Sequence, residues 1–199
     1  MEILVTTVSS QAAREVAAEL DEARHIVRTC SASADPDAIG CAALRNDTCP
    51  LDTYPIDAAV DVGAVISSDG LANGGLCAVR RRIPLVLVDR PGDRLEPWMT
   101  ASVPRSRVTA TIAALESAEL PAHTAEARHT LDEELAQQGT EAATDVVVRR
   151  RNGGLVVQLS PDRAMCRRDT ERLAVHVAQR LRIFDPWART IDVSTQASP

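Results

Sequence analysis

The chain contains no lysine, and all 22 of its basic residues are arginine. The absence of lysine excludes a P-loop lysine, a Schiff-base lysine and a lysine general base. We attribute this replacement to coding bias rather than to function, but its chemical consequence holds whatever its origin. Any phosphate chemistry in this protein must operate without a lysine ammonium group.

Aromatic residues are also scarce, at 2% of the chain, and the formal net charge is −6. Proteins that bind nucleic acids usually combine a basic surface with aromatic side chains that stack on the bases. Both numbers therefore argue against a general nucleic-acid binder, although they leave room for a local basic patch.

Long apolar segments are missing as well. No run approaches the roughly 18 residues that a membrane-spanning helix needs. The first residues, MEILVTTVSS, have neither the basic region nor the hydrophobic block of a signal peptide. We therefore expect a cytoplasmic protein, in which cysteines are thiols or metal ligands rather than structural disulfides.

Apolar strands and amphipathic helices alternate along the first part of the chain. This alternation predicts an α/β domain over residues 1–118, with a doubly wound, five-stranded parallel sheet covered by helices on both faces. The predicted strands are residues 2–8, 25–30, 56–66, 83–88 and 101–103. The first predicted helix ends near residue 22, and the others span residues 35–45, 71–82 and 107–119. Residues 46–55 are predicted to form turns.

After Pro121 the order of the elements changes. A helix over residues 124–138 is followed by strands at 145–150 and 155–159, with an Asn152-Gly153 pair that favours a tight hairpin. Pro161 is predicted to begin a long helix that ends near residue 183, and a last strand covers residues 189–193. Residues 119–195 are thus predicted to form a small α+β domain of αββαβ order, and residues 196–199 a flexible tail.

The stretch YPIDAAVDVGAVISSDG, residues 54–70, has Pro55 six residues before Asp61 and ends in Asp69-Gly70. Together with IPLVLV at residues 83–88 and VPRSRVTATIAAL at residues 103–115, it resembles the receiver domain of bacterial response regulators. The resemblance covers residues 1–118 and implies a flavodoxin-like fold. It also implies that Asp61 stands at the position of the phosphoacceptor.

The same resemblance exposes several departures from the family. The acidic pair that holds Mg²⁺ in receivers is replaced by Thr6 and Thr7, and hydroxyl groups alone hold that ion weakly. The switch Ser/Thr position carries Asp89, and the lysine before the family's proline is Val103. Without these groups little stabilises a transferring phosphoryl group. We therefore expect a pseudo-receiver that phosphorylation does not regulate; the alternative is an unrelated flavodoxin-like sheet in which Asp61 caps a strand end.

The cysteines form no CxxC pair, so their spacing is a weak metal signal. Cys30, Cys41 and Cys49 could still converge near one end of the sheet, which would suit a metal or thiol sensor, and Cys49 is the first candidate for a reactive thiol. The alternative is that Cys30 and Cys77 are small core residues. Otherwise no metal and no cofactor are expected. The four histidines form no recognisable chelate or catalytic group.

Arginines cluster in the second part of the chain, where they could grip phosphate groups. The candidate anion-binding residues are Arg149, Arg150, Arg151, Arg167 and Arg168. A solvated basic face is the plainer interpretation. Trp187 is expected to pack within the domain or at its interface.

The phrases VVVRRRNGGLVVQLS and ERLAVHVAQRL, followed by TIDVS, resemble the BON domain over residues 124–195. That resemblance implies a non-catalytic module that binds partners or phospholipid surfaces. A KH-like or alkaline-shock-like domain would give nearly the same pattern.

We therefore expect a non-catalytic signalling or scaffold protein, not an enzyme, which acts by protein-protein association and includes a homodimer among its candidate assemblies. One alternative is a thiol- or metal-responsive sensor that uses Cys30, Cys41 and Cys49. Another is nucleic-acid or anionic-lipid binding by the arginines of the second domain, which is not favoured.

Overall fold

The computed structural model describes residues 1–7, 11–31, 48–62, 74–90, 95–139, 144–161 and 165–195. Contacts divide the chain into two compact units, Met1–Glu116 and Ser117–Pro199. The sequence-based expectation was a boundary after residue 118. Among the described residues, no helix combines the length and the apolar character needed to cross a membrane.

The first unit is built on a five-stranded sheet in which every neighbouring pair is parallel, in the order β2-β1-β3-β4-β5. This order is consistent with the flavodoxin-like fold. The strands are β1 (Glu2–Thr7), β2 (Ile26–Ser31), β3 (Ala58–Val62), β4 (Leu85–Val88) and β5 (Ala101–Val103). The helices are α1 (Gln11–Glu22), α2 (Pro50–Thr53), α3 (Gly74–Arg80) and α4 (Val108–Leu115).

Successive side chains of these strands enter two different apolar clusters, as the two-residue repeat of a strand requires. On β1, Ile3 and Val5 pack with α1 and α4, whereas Leu4 packs with α2 and α3. All residues of β3 and β4 are buried, which explains why both strands are almost continuously apolar. Asp61 is the one charged residue of β3, and it is buried like the others.

The second unit has the αββαβ order. Its elements are α5 (Pro121–Gln137), β6 (Thr144–Arg151), β7 (Gly154–Pro161), α6 (Arg167–Phe184) and β8 (Ile191–Thr195). β7 lies in the centre, antiparallel to β6 and parallel to β8. Asn152 and Gly153 have φ values of 52° and 68°, so the hairpin turn uses the left-handed backbone that an Asn-Gly pair adopts readily. Both helices pack against one face of this sheet.

Several sequence predictions differ from the observed elements; the helix predicted at residues 107–119, for example, ends at Leu115. Pro161 is the last residue of β7, paired with Thr144, rather than the first residue of a helix, and α6 begins at Arg167. The predicted turn region at residues 46–55 contains the short helix α2, which Pro50 begins. α5 begins at Pro121, three residues earlier than expected. The helix predicted at residues 35–45 lies outside the described residues.

Candidate functional site

Asp61 lies near the carboxyl end of β3, at the centre of the first sheet. Its Cα is paired in register with that of Thr6 on β1 and that of Leu87 on β4. In a sheet of this order the gap between β1 and β3 is the point where the strand order reverses and where ligands of open α/β folds usually bind. The structure thus brings together Asp61 and Thr6, two positions singled out from the sequence.

The Asp61 carboxylate is not open to solvent. Arg90, two residues after β4, donates from Nη1 to Asp61 Oδ2 across 2.8 Å, and the two side chains are only 7 and 8% exposed. The guanidinium therefore neutralises the carboxylate inside the protein. Nothing in the sequence resemblance pointed to Arg90, because receivers supply their cation from a lysine elsewhere in the chain.

Two glycines at the start of α3 fit closely against the same pair of strands. A Cβ atom on Gly75 would lie 2.7 Å from Asp61 Oδ2 and 2.9 Å from Leu95 Cδ1. A Cβ on Gly74 would lie 2.4 Å from Thr6 Cγ2. Only glycine permits this approach of the α3 backbone, so Asp61 is enclosed by α3 as well as by Arg90.

These residues do not fit a magnesium ion. The only acid among them, Asp61, already bonds to a cation, and Thr6 offers a buried hydroxyl that has no hydrogen-bond partner among the described residues. Mg²⁺ requires several hard oxygen ligands, usually including carboxylates. For Thr7 the structure describes the backbone, which ends β1 beside Val62. Asp69 lies outside the described residues.

Asp89, which the receiver resemblance predicts to be the switch position, takes part in a second polar group. Its backbone is left-handed, with φ of 53°, and its Oδ1 accepts a hydrogen bond from the Arg105 N–H at 3.3 Å. Arg105 in turn binds α1 through Glu15 and, at 2.6 Å, through Glu19. Asp89 therefore connects the end of β4 to the helical face formed by α1 and α4.

The charges around Arg105 stabilise one another. The pKa of Glu15 is held below its ordinary value, mainly by the hydrogen bond from Gln11 and next by the hydrogen bond from Arg105. The hydrogen bonds to Glu19 and Glu15 raise the pKa of Arg105. Val103, the position to which the receiver resemblance assigns the lysine, is the last residue of β5 and pairs with Val88. It supplies an apolar contact to the α1 and α4 cluster instead of a charge.

Three cysteines lie on the opposite side of the sheet from α1 and α4. Cys30, Cys49 and Cys77 are partly buried and pack against the apolar cluster that includes α2 and α3. Among the described residues, no three histidine, cysteine or acidic side chains lie close enough together to hold a metal ion. Cys41 lies outside those residues. Cys166, which is not among the predicted site residues, is exposed at the start of α6.

The second unit contains a buried charged group centred on Asp185. Its Oδ2 lies 2.5 Å from Arg150 Nη2 and 3.1 Å from His123 Nε2, and Asp185 is fully buried. The Phe184 ring packs edge-on against His123. Burial acts to raise the pKa of Asp185, but the His123 hydrogen bond and the Arg150 charge outweigh it and hold that pKa below the ordinary value.

The predicted anion-binding arginines do not form one surface. Arg150 is buried against Asp185, on the sheet face that the helices cover. Arg149 and Arg151 lie on the alternate positions of β6, and Arg149 Nε donates to Ser117 O at 3.0 Å. Arg167 and Arg168 are exposed at the start of α6, which packs on the same face of the sheet as Arg150 and opposite to Arg149 and Arg151. The set is thus divided between the two sides of the sheet.

The phase of β6 was the available signal for this buried group. Val146 and Val148 are buried, so the two-residue repeat places Arg150 on the same inward face. No comparable signal marked His123 or Asp185. Comparison of the chain with protein families, curated proteins and solved structures gave no match.

Proposed function

We propose that the protein is a non-catalytic signalling or scaffold protein in which a phosphorylation-independent pseudo-receiver, doubly wound like the receivers of response regulators, is joined to a small binding module. The observation that carries this proposal is the salt bridge between Asp61 and Arg90. It gives the acceptor carboxylate a permanent internal partner. The chain acts through association with protein partners, and a homodimer is one candidate assembly.

Two further observations support the loss of phosphoryl transfer. Thr6 stands beside Asp61 where a metal-binding acid would be needed, and the chain has no lysine to neutralise an acyl phosphate. Phosphoryl transfer depends on positioned cations that stabilise the developing charge. Arg90 is such a cation, but it lies directly on the attacking carboxylate and stabilises the unmodified state.

The direct test is to incubate the full chain with acetyl phosphate and Mg²⁺ and to measure its intact mass. We expect no phosphoryl adduct under conditions in which an active receiver, run in parallel, becomes labelled. An adduct that disappears in the Asp61→Asn variant would contradict the proposal. Light scattering of the same samples reports the mass in solution and hence self-association.

A thiol-responsive role is the second candidate. Of the cysteines predicted for it, Cys30 and Cys49 contact one apolar cluster, which Cys77 also contacts, and Cys41 lies outside the described residues. Oxidation or modification there would alter packing beneath α2 and α3. Metal analysis and thiol titration of protein purified without oxygen separate the two candidates. Metal-free protein whose thiols react independently of one another would eliminate the sensor.

A further inference from the structure

The outward face of α6 exposes apolar side chains that a folded domain usually buries. Val175 is 51% exposed and Ile183 is 73% exposed. Val175, Gln179 and Ile183 follow one another at intervals of four residues, so they lie along the same side of the helix. The opposite side carries Leu173, Val177 and Leu181, which fill the core of the unit.

Trp187 extends this exposed surface beyond the end of the helix. It is 52% exposed, yet its backbone is fixed from inside the protein. The buried Asp185 accepts hydrogen bonds from the N–H groups of Trp187 and Ala188, both at 3.2 Å, and Arg182 donates to the Ala188 carbonyl. The indole is thus held on an ordered turn, which lowers the entropic cost of using it in a contact.

The arginines of α6 differ in whether they pair with carboxylates of this chain. The helix has five arginines against two acidic residues. Arg172 and Arg180 pair with glutamates of α5, and Arg167 pairs with Glu171. Neither Arg168 nor Arg182 contacts a carboxylate within the part of the chain that the structure describes.

The two arginines without a carboxylate lie on the exposed side of the helix. Arg168 is seven residues before Val175 and Arg182 is seven residues after it, a spacing that returns to the same helix face. Arg168 therefore lies before the exposed apolar residues, and Arg182 lies between Val175 and Ile183. The exposed side of α6 thus carries apolar side chains in its middle and at its C-terminal end, with an arginine between them and another beyond them.

We propose that this surface, defined as Arg168, Val175, Gln179, Arg182, Ile183 and Trp187 and called here the α6 face, docks an acidic polypeptide segment that carries apolar side chains. Tryptophan and arginine are the residues that contribute most often to protein-protein binding energy. The carboxylates of such a segment would pair with Arg168 and Arg182, which contact no carboxylate among the described residues, while its apolar side chains would cover Val175, Ile183 and Trp187.

A polypeptide fits these features better than a membrane or a nucleic acid. Three of the five α6 arginines are already bound to carboxylates of this chain, so the free positive charge is small and localised. An anionic bilayer or a polynucleotide presents a dense array of phosphates, and its affinity for a protein grows with the number of basic residues that contact them. The inference rests on the proposed function, because it names the partner class for association.

The test uses the full chain in a Trp98→Phe background, which leaves Trp187 as the only tryptophan. The probe is a synthetic helical peptide of glutamate and leucine, and the matched probe has lysine in place of glutamate. We expect the glutamate peptide to shift Trp187 emission to shorter wavelength, with affinity that falls as salt rises. The lysine peptide should leave the emission unchanged.

Substitutions then locate the binding surface. Ile183→Ser and the double variant Arg168→Gln, Arg182→Gln should each weaken binding by about tenfold or more, the loss expected for a residue at the centre of an interface. Ile26→Ser is the matched control, because Ile26 is 54% exposed but lies in the first unit. Since all these side chains are exposed, circular dichroism should show that every variant folds.

Several outcomes would overturn the proposal. They are no emission shift with the glutamate peptide, equal binding of the lysine peptide, and binding that Ile183→Ser leaves unchanged. Binding to phosphatidylglycerol vesicles or to a single-stranded oligonucleotide, without binding to the peptide, would assign the face to a different ligand. Failure of the peptide to bind does not contradict the proposed function as long as acetyl phosphate leaves Asp61 unlabelled. Labelling of Asp61 contradicts the proposed function, whatever the α6 face binds.

Discussion

Arg90 Nη1 lies 2.8 Å from Asp61 Oδ2, and the two residues are 29 positions apart in the sequence. The pair joins the carboxyl ends of two adjacent parallel strands, β3 and β4. Both charges are removed from water, so each depends on the other for its stabilisation. This mutual dependence makes the pair the first target for mutation.

Replacing Arg90 with Met should destabilise the first unit by about 3–5 kcal/mol, because the buried Asp61 carboxylate then loses the guanidinium that neutralises it. The free energy of unfolding can be measured by urea denaturation in a Trp187→Phe background, in which Trp98 reports the first unit alone. Arg107→Gln, at an exposed position of the same unit, should change stability by less than about 0.5 kcal/mol. Equal effects of the two substitutions would show that the salt bridge contributes nothing particular.

Gly75→Ala should destabilise the first unit by about 1–3 kcal/mol, the usual cost of forcing extra volume into a packed site. The added methyl group would overlap Asp61 Oδ2 and Leu95 Cδ1. The same substitution in an Asp61→Ala background should cost less, because one of the two overlaps is gone. A cost that does not depend on Asp61 would contradict the close approach of α3 to this carboxylate.

Stability of the second unit should depend on pH through Asp185. Its pKa in the folded protein is below the 3.8 of the free side chain, so the unfolded state binds the proton more readily. The stabilisation is therefore complete above pH 3.8 and is lost as the pH falls through the lower, folded value. Unfolding followed by Trp187 fluorescence in the Trp98→Phe background should show this decline.

Asp185→Asn provides the control for that titration. It should remove this component of the pH dependence and destabilise the unit by about 3–5 kcal/mol at neutral pH, because the buried Arg150 guanidinium then loses the carboxylate that neutralises it. Asp192→Asn changes an exposed carboxylate on β8 and should do neither. A pH profile that survives in Asp185→Asn would assign the titration to another group.

Thiol reactivity should follow exposure. In a Cys41→Ser background, Cys166 should react first with a thiol reagent, since it is exposed while Cys30, Cys49 and Cys77 are partly buried. Mass spectrometry of labelled peptides gives the order of reaction, and Cys166→Ser removes the fast phase. Labelling of Cys49 before Cys166 would instead favour the thiol-responsive hypothesis.

Local patterns in the sequence predicted the order of the elements well. The continuous apolar run at β4 and the Asn152-Gly153 turn each produced the structure that their chemistry favours. Pro161 misled because proline is compatible both with the first turn of a helix and with the end of a strand, and pairing with Thr144 decides between them. Such a decision depends on a neighbour that the local sequence does not reveal.

The charged sites were harder to predict for the same reason. Arg90 follows a strand and Asp61 lies within another, and their contact depends on the spacing between parallel strands rather than on any local motif. Arg150 was grouped with Arg149 and Arg151 as one basic cluster, although alternate residues of a strand face opposite sides. His123, Arg150 and Asp185 come from three different elements, so only the fold brings them together.

The left-handed backbone of Asp89 limits how this chain could change further. Aspartate tolerates a φ of 53°, whereas a β-branched residue such as threonine would be strained there. Introducing threonine at this position would therefore require the turn after β4 to be rebuilt, together with Arg90, which follows it directly. Residue 89 is thus restricted by backbone geometry, and a β-branched side chain there would also disturb the neighbouring Arg90, which neutralises Asp61.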